Sequence, residues 1–388
     1  MRTRIAVLVA LVLLLLVAVA PARAQVEVRF GDPSASGAFG EPVVFSTTFE
    51  TDATPRRVEM LSRLPGDDSD RVSIAALAPE GDGSWRASVV QGGHIVPNTS
   101  WEFRFRVVTD EGTASGPSGH YRLVDGRFDW DVLEGDRVNV WTYAGGDEFA
   151  RKALRIAEAA MASAAELLGV EDIEPVDFLL YTDTREFRQA MGPATRENIG
   201  GQAHPGIRTL FGLVQPRQID SDWVDELITH ELAHLVFDEA VDNPYQYPPR
   251  WLNEGLAVYL SKGFDAGDQR QVRGAAGGGT IIPLEGLGGQ FPTRPGRQSL
   301  AYAESISAVD HFVQVHGQER LVQLITSFGE GTGLDGAFEA ATGEDFAAFE
   351  AGWLSSLGAD EPVPYGPRES QPGPVPEEWT GDLGVLLG

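Results

Sequence analysis

The stretch that most constrains this chain is His230-Glu231-Leu232-Ala233-His234. Residues four apart on an α-helix lie about 40° apart around the axis and roughly 6 Å along it, so both imidazoles can reach one ion at about 2.0–2.1 Å. Glu231 falls beside that ion rather than on it, which suits a carboxylate that takes a proton from attacking water and returns it to a leaving amine. The motif carries this meaning only on a helix, and its flanks predict one. Trp223, Leu227, Leu232, Leu235 and Val236 are spaced for a buried helix, and Asp220, Ser221 and Asp222 can cap its start and suit its dipole.

A zinc hydrolase uses three protein ligands and keeps a fourth position open. The next apolar run, Trp251-Leu252-Asn253-Glu254-Gly255-Leu256-Ala257-Val258-Tyr259-Leu260, offers Glu254, 20 positions after His234. The breaker-rich loop between them, residues 242–249, is long enough to turn the chain back antiparallel. Glu231 and Glu254 lie among bulky apolar neighbours, where a carboxylate is costly unless a metal or another cation compensates. His94, His120, His311 and His316 lack such company and read as ordinary histidines. Glu226, one turn before His230, is a candidate to orient an imidazole from behind.

The motif followed by Trp-Leu-Asn-Glu-Gly-Leu-Ala resembles the gluzincin metallopeptidases, and the chain is similar to the peptidase MA-like proteins of bacterial envelopes. The resemblance is strongest over residues 205–262 and extends from about 126 to 357. It implies zinc held by His230, His234 and Glu254, Glu231 as base and then acid, and Tyr302, on a helix downstream of the third ligand, as oxyanion donor. It also implies that the segment Gly206–Val214 forms an edge strand that pairs with extended substrate, with His204 as a candidate cleft residue. A metzincin would need Gly at 237 and His at 240, where Phe237 and Ala240 stand. The Gly-x-Met-Glu-Asn element with which alanyl aminopeptidases hold a free amine is absent, and Val258 replaces the aspartate of thermolysin-like enzymes four residues after Glu254.

Arg2 and Arg4 precede an apolar run over residues 5–20, and Ala22-Arg23-Ala24 supplies small residues at a cleavage site, so residues 1–24 read as a signal peptide. The protein is expected to be secreted or to reside in the cell envelope. After cleavage no stable membrane span is expected, since the final Gly384-Val-Leu-Leu-Gly is too short. The chain has no cysteine, so disulfides are excluded while an oxidising compartment is not. A net charge of −27 makes nucleic acid an unsuitable partner.

Residues 25–125 carry short alternating runs separated by turn signals: Val26–Phe30, Val43–Phe49, Val58–Leu64, Val72–Leu77, Trp85–Val90, Trp101–Thr109 and Tyr121–Val124. They predict an all-β, immunoglobulin-like sandwich. From residue 126 to 360 the pattern becomes α+β: strands over 138–143 and 176–181, and helices over 148–168, 185–191, 299–315, 319–328 and 345–357. The glycine-rich stretch 274–289 reads as a poor core element, a lid or a long surface loop. Residues 361–388, rich in proline at first, read as a disordered tail. The fold class expected is therefore multidomain, an immunoglobulin-like sandwich followed by an α+β, thermolysin-like gluzincin domain. The function expected is a zinc-dependent endopeptidase using metal-activated water and acting on peptide or protein substrates. The alternatives are an aminopeptidase and a catalytically inactive envelope interaction protein.

Overall fold

The computed structural model of the protein describes residues 26–360 except 66, 82, 194–199, 244 and 246. The expected signal peptide, up to residue 24, and the expected tail, 361–388, lie outside the described residues.

Strands β1 (Arg29–Phe30), β3 (Val43–Glu50), β7 (Ser84–Gln91) and β6 (Ala76–Gly81) form one sheet in that order, with β2 (Ser34–Ser36) also paired to β3. Strands β5 (Arg71–Ile74), β4 (Arg57–Arg63), β8 (Ser100–Val108) and β9 (Thr113–Arg122) form the second. This strand order is that of an immunoglobulin-like sandwich. Alternation on β8 dictates the packing: Phe103, Phe105 and Val107 are buried against Phe45, Phe49 and Met60, while Glu102, Arg104 and Arg106 face outward.

Two strand expectations are corrected here. The run Val72–Leu77 is not one strand, because the buried Ala75, whose N–H donates to Val58 O (2.8 Å), marks where the chain leaves one sheet for the other. The last strand is Thr113–Arg122 rather than 121–124: residues 113–119 have poor strand propensity, but a Cβ at Gly119 would lie 2.9 Å from Phe103, so the absence of side chain there lets β9 cover the core.

The second part begins with β10 (Asp131–Glu134), β11 (Val138–Thr142), α1 (Gly146–Leu168), β12 (Val176–Tyr181), α2 (Thr184–Met191), β13 (Gly201–His204) and β14 (Thr209–Leu213). Its sheet runs β10-β11-β12-β14-β13, with the three middle strands parallel and both outer strands antiparallel to their neighbours. Among the described residues seven helices follow: α3 (Asp222–Val241), α4 (Arg250–Ser261), α5 (Ala266–Gly277), α6 (Pro295–His316), α7 (Gln318–Gly329), α8 (Leu334–Thr342) and α9 (Phe346–Leu357). They share one large core with α1 and the sheet. Among the described residues no helix is long and apolar enough to cross a membrane.

The other sheet face carries Leu179, Tyr181 and Phe211, covered by α2 and by Phe39, Leu64 and Val96 of the sandwich. Asn98 pins this junction. Its Nδ2 donates to Asp177 (3.0 Å) and Thr209 Oγ1 (2.7 Å), and its Oδ1 accepts from Arg122 Nε (2.6 Å).

Three further expectations change. The segment 206–214 is not the sheet edge: Gly206 lies in a 3-10 turn, β14 is internal, and β13 forms the edge. The glycine-rich stretch begins as the end of α5, over residues 274–277, and then enters the core, since Ile281, Ile282, Leu284 and Leu287 are buried. Four apolar residues in seven outweigh the glycines once they have a core to enter. Trp223 is 40% exposed, because α3 starts at Asp222 and its first turn overhangs the core that Val224 and Ile228 enter.

Candidate metal centre

His230 and His234 project from one face of α3, and α4 presents Glu254 opposite them. His230 Nε2 lies 3.3 Å from His234 Nε2, and Glu254 Oε2 lies 3.5 and 3.6 Å from the two nitrogens. Three atoms that offer lone pairs thus face one another, an arrangement that a cation or a proton must compensate. A tetrahedral ion with ligands at about 2.0–2.1 Å has those ligands about 3.3–3.4 Å apart, so the donor set fits zinc in both chemistry and spacing. These three form a group able to hold a metal ion.

Two of the three donors are held from behind. His234 Nδ1 meets Asn253 Oδ1 at 2.6 Å, which puts the ring proton on Nδ1 and leaves Nε2 to bind. Arg250, one turn before Glu254, donates Nε (2.9 Å) and Nη2 (2.7 Å) to Glu254 Oε1. Burial alone would raise the pKa of Glu254, but hydrogen bonding to His230 and the charges of His234, His230 and Arg250 overcome it and hold the carboxyl at about 2. Helix α4 itself is anchored by Trp251, fully buried and stacked on Phe349. Gly255 allows the close crossing with α6, because a Cβ there would lie 2.5 Å from Ser305 O.

Glu231 points to the edge strand. Its Oε2 accepts the Ala203 N–H (3.1 Å), and a Cβ on Gly201 would lie 2.8 Å from its Cγ, so glycine at 201 makes the room it occupies. Burial, then the neighbouring Glu254, raise its pKa against the lowering effects of His234 and Ala203. Tyr302 on α6 is half-buried, with its ring 6.4 Å from that of His230 and its hydroxyl interacting with Arg250. Burial first, and Glu254 next, push this phenol up to about 12, so it remains a donor.

The fold therefore gathers His230, His234, Glu254, Glu231 and Tyr302 on one side of β13. His204 is not among them. The register that pairs Ala203 with Leu210 and Gln202 with Phe211 turns Gln202 and His204 toward the sandwich side, where His204 packs edge-on against Phe211. Burial pushes its imidazole down to about 4. Glu226 is exposed on α3 and is not among the residues gathered at the centre. Sequence reasoning passed over Arg250, Asn253 and Gly201. Asn253 was open to detection as a polar residue beside Glu254 in an apolar run, whereas Gly201 acquires meaning only when β13 and α3 come together.

A family model described as the Peptidase MA superfamily matches residues 156–359. Among solved structures, an aminopeptidase N family protein from Idiomarina loihiensis is 11% identical, with a TM-score of 0.48 over 87% of this chain and 77% of that one. A bromine derivative of BhCBM56 is 14% identical, with a TM-score of 0.17 over 23% of this chain and 88% of that one. No curated protein matches the sequence. The fold of α3 and α4 around His230, His234 and Glu254 lies within the matched residues, which make up more than half of the chain, and the protein belongs to the Peptidase MA superfamily.

Proposed function

We propose that the protein is a zinc-dependent endopeptidase acting outside the cytoplasm on extended polypeptides. The observation that carries this reading is the convergence of His230, His234 and Glu254 within 4.8 Å, with Glu231 held beside them by the backbone of an edge strand. His230, His234 and Glu254 would hold the ion. When bound, it supplies Lewis acidity that makes water a better nucleophile and polarises the scissile carbonyl.

The remaining chemistry belongs to side chains of the protein. Glu231, with its proton affinity raised by burial, takes a proton from the attacking water and hands it to the departing amine. Tyr302 donates its hydroxyl proton to the oxygen on which negative charge develops. The outer edge of β13, beyond the Ala203 N–H that Glu231 accepts, would offer backbone groups to a substrate strand and so bring a peptide bond alongside Glu231. An endopeptidase is preferred to an aminopeptidase because the sequence has no Gly-x-Met-Glu-Asn element to hold a free amine. The apolar run over residues 5–20, with its small-residue cleavage site, supports export.

The test is digestion of an unfolded protein and of N-terminally blocked peptides by residues 25–388, with zinc measured in the same samples. Internal cleavage that a chelator abolishes, with about one zinc per chain, is the expected result. Cleavage confined to unblocked termini would make the protein an aminopeptidase, and one bound zinc without cleavage would make it a binding protein.

A further inference from the structure

We propose that Tyr247 and Asp238 are positioning residues for the metal centre, the outer links of a hydrogen-bond chain that sets which way the Asn253 amide faces. Asn253 Nδ2 donates to the Tyr247 hydroxyl (3.0 Å), and that hydroxyl interacts in turn with the Asp238 carboxylate. The donor and acceptor inventory makes the chain directional. A carboxylate only accepts, so the Tyr247 proton points at Asp238 and its oxygen lone pair is left for an N–H. Asn253 must then turn its NH2 group to Tyr247 and its Oδ1 to His234. His234 Nδ1, 2.6 Å from Oδ1, has to carry the ring proton, which leaves the Nε2 lone pair facing His230 and Glu254.

The chain also ties three segments together. Asp238 follows His234 by one turn on α3, Tyr247 lies in the loop joining α3 to α4, and Asn253 precedes Glu254 on α4. The Tyr247 ring leans on Phe237, with centroids 6.0 Å apart, so the hydroxyl is placed by packing as well as by bonding. Asp238 and Tyr247 also line a cleft of about 730 Å³ beside the β4–β5 loop of the sandwich.

This inference rests on the reading of His234 as a metal ligand, and the experiment separates the two. Zinc affinity of the full chain is measured by competition with a chromophoric chelator for the wild type, Tyr247→Phe, Asp238→Ala and Asp238→Asn. Unfolding midpoints of the metal-free forms are measured alongside. Tyr247→Phe and Asp238→Ala are each expected to bind zinc about tenfold more weakly, toward the lower end of what outer partners of a metal site contribute. Their double variant should be no weaker than either alone, because one chain is broken once. Asp238→Asn, whose amide oxygen still accepts from Tyr247, should restore wild-type affinity. Folded Tyr247→Phe and Asp238→Ala that keep wild-type affinity overturn the proposal. So does a loss of affinity that follows metal-free stability and is shared by Asp238→Asn. A wild type that takes up no zinc overturns the metal-centre reading and this inference with it, whereas zinc-binding wild type with unaffected variants sinks the chain alone.

Discussion

Arg250 gives both Nε and Nη2 to the same oxygen of Glu254, Oε1, and Oε2 is thereby left to face His230 and His234. Spacing of four on α4 makes this geometry possible, since i and i+4 side chains share a helix face. A carboxylate 6% exposed needs such compensation. Arg250 itself lies over Phe291, 4.8 Å from guanidinium to ring centroid. The pair delivers one oxygen, in one place, to the candidate metal centre.

Glu254→Ala should therefore lose more zinc affinity than the roughly 10–100-fold that changes to outer partners cost, while Glu226→Ala, on the exposed face of α3, should leave it unchanged. Zinc stoichiometry after dialysis against a weak chelator measures this, with circular dichroism confirming the helices. Full zinc retention by folded Glu254→Ala would place the third ligand elsewhere.

Glu231→Gln is expected to keep its zinc and lose at least about a hundredfold in turnover, the contribution of a well-placed general base. The amide can still accept from Ala203 N–H, so β13 and α3 should stay in register. Peptidase activity near wild type in the metal-loaded variant would remove Glu231 from the mechanism.

Asn98 is buried at φ 68°, in the left-handed region, and bonds to Asp177, Thr209 and Arg122. Asn98→Ala loses those bonds and pays for the backbone conformation, a combined destabilisation of at least about 2 kcal/mol. Asn98→Gly keeps the conformation and loses only the bonds. Thermal unfolding should rank wild type above Asn98→Gly and Asn98→Ala lowest. Equal midpoints for all three would deny Asn98 its part in joining the sandwich to the sheet.

Glu304 on α6 is fully buried, accepts the Ile282 N–H, and is pushed by burial up to about 8. Because its folded pKa lies above the unfolded value, the stability it contributes is whole below about pH 4.3 and declines as pH rises through 8. The loss is on the order of 1.4 kcal/mol for each pH unit crossed between those values. Glu304→Gln, which cannot ionise, should gain on the wild type as pH rises from 5 to 8. A constant difference in unfolding midpoint across that range would show that Glu304 does not titrate there.

Much of this protein could be read from local pattern. The His-Glu-x-x-His motif, Glu254 and the helices that carry them follow from residues close in the chain, because helical spacing converts sequence distance directly into a shared face. The sandwich core was legible for the same reason, as alternation on β8 marks Phe103 and Phe105 for burial. Other features depend on segments far apart. Val72–Leu77 has the composition of one strand, and only two sheets competing for its ends divide it at Ala75. The glycine-rich stretch enters the core because α6 and α4 leave apolar space for Ile282, Leu284 and Leu287. Gly201 reads as a breaker until Glu231, 30 positions later, fills the space it leaves. His204 and Ala203 are neighbours in sequence, yet the pleat sends one toward the sandwich and the other's N–H to Glu231. Hydrophobic periodicity specifies which face of an element is buried. What lies against that face depends on long-range packing, and here that packing assigned Arg250, Asn253 and Gly201 their places around the candidate metal centre.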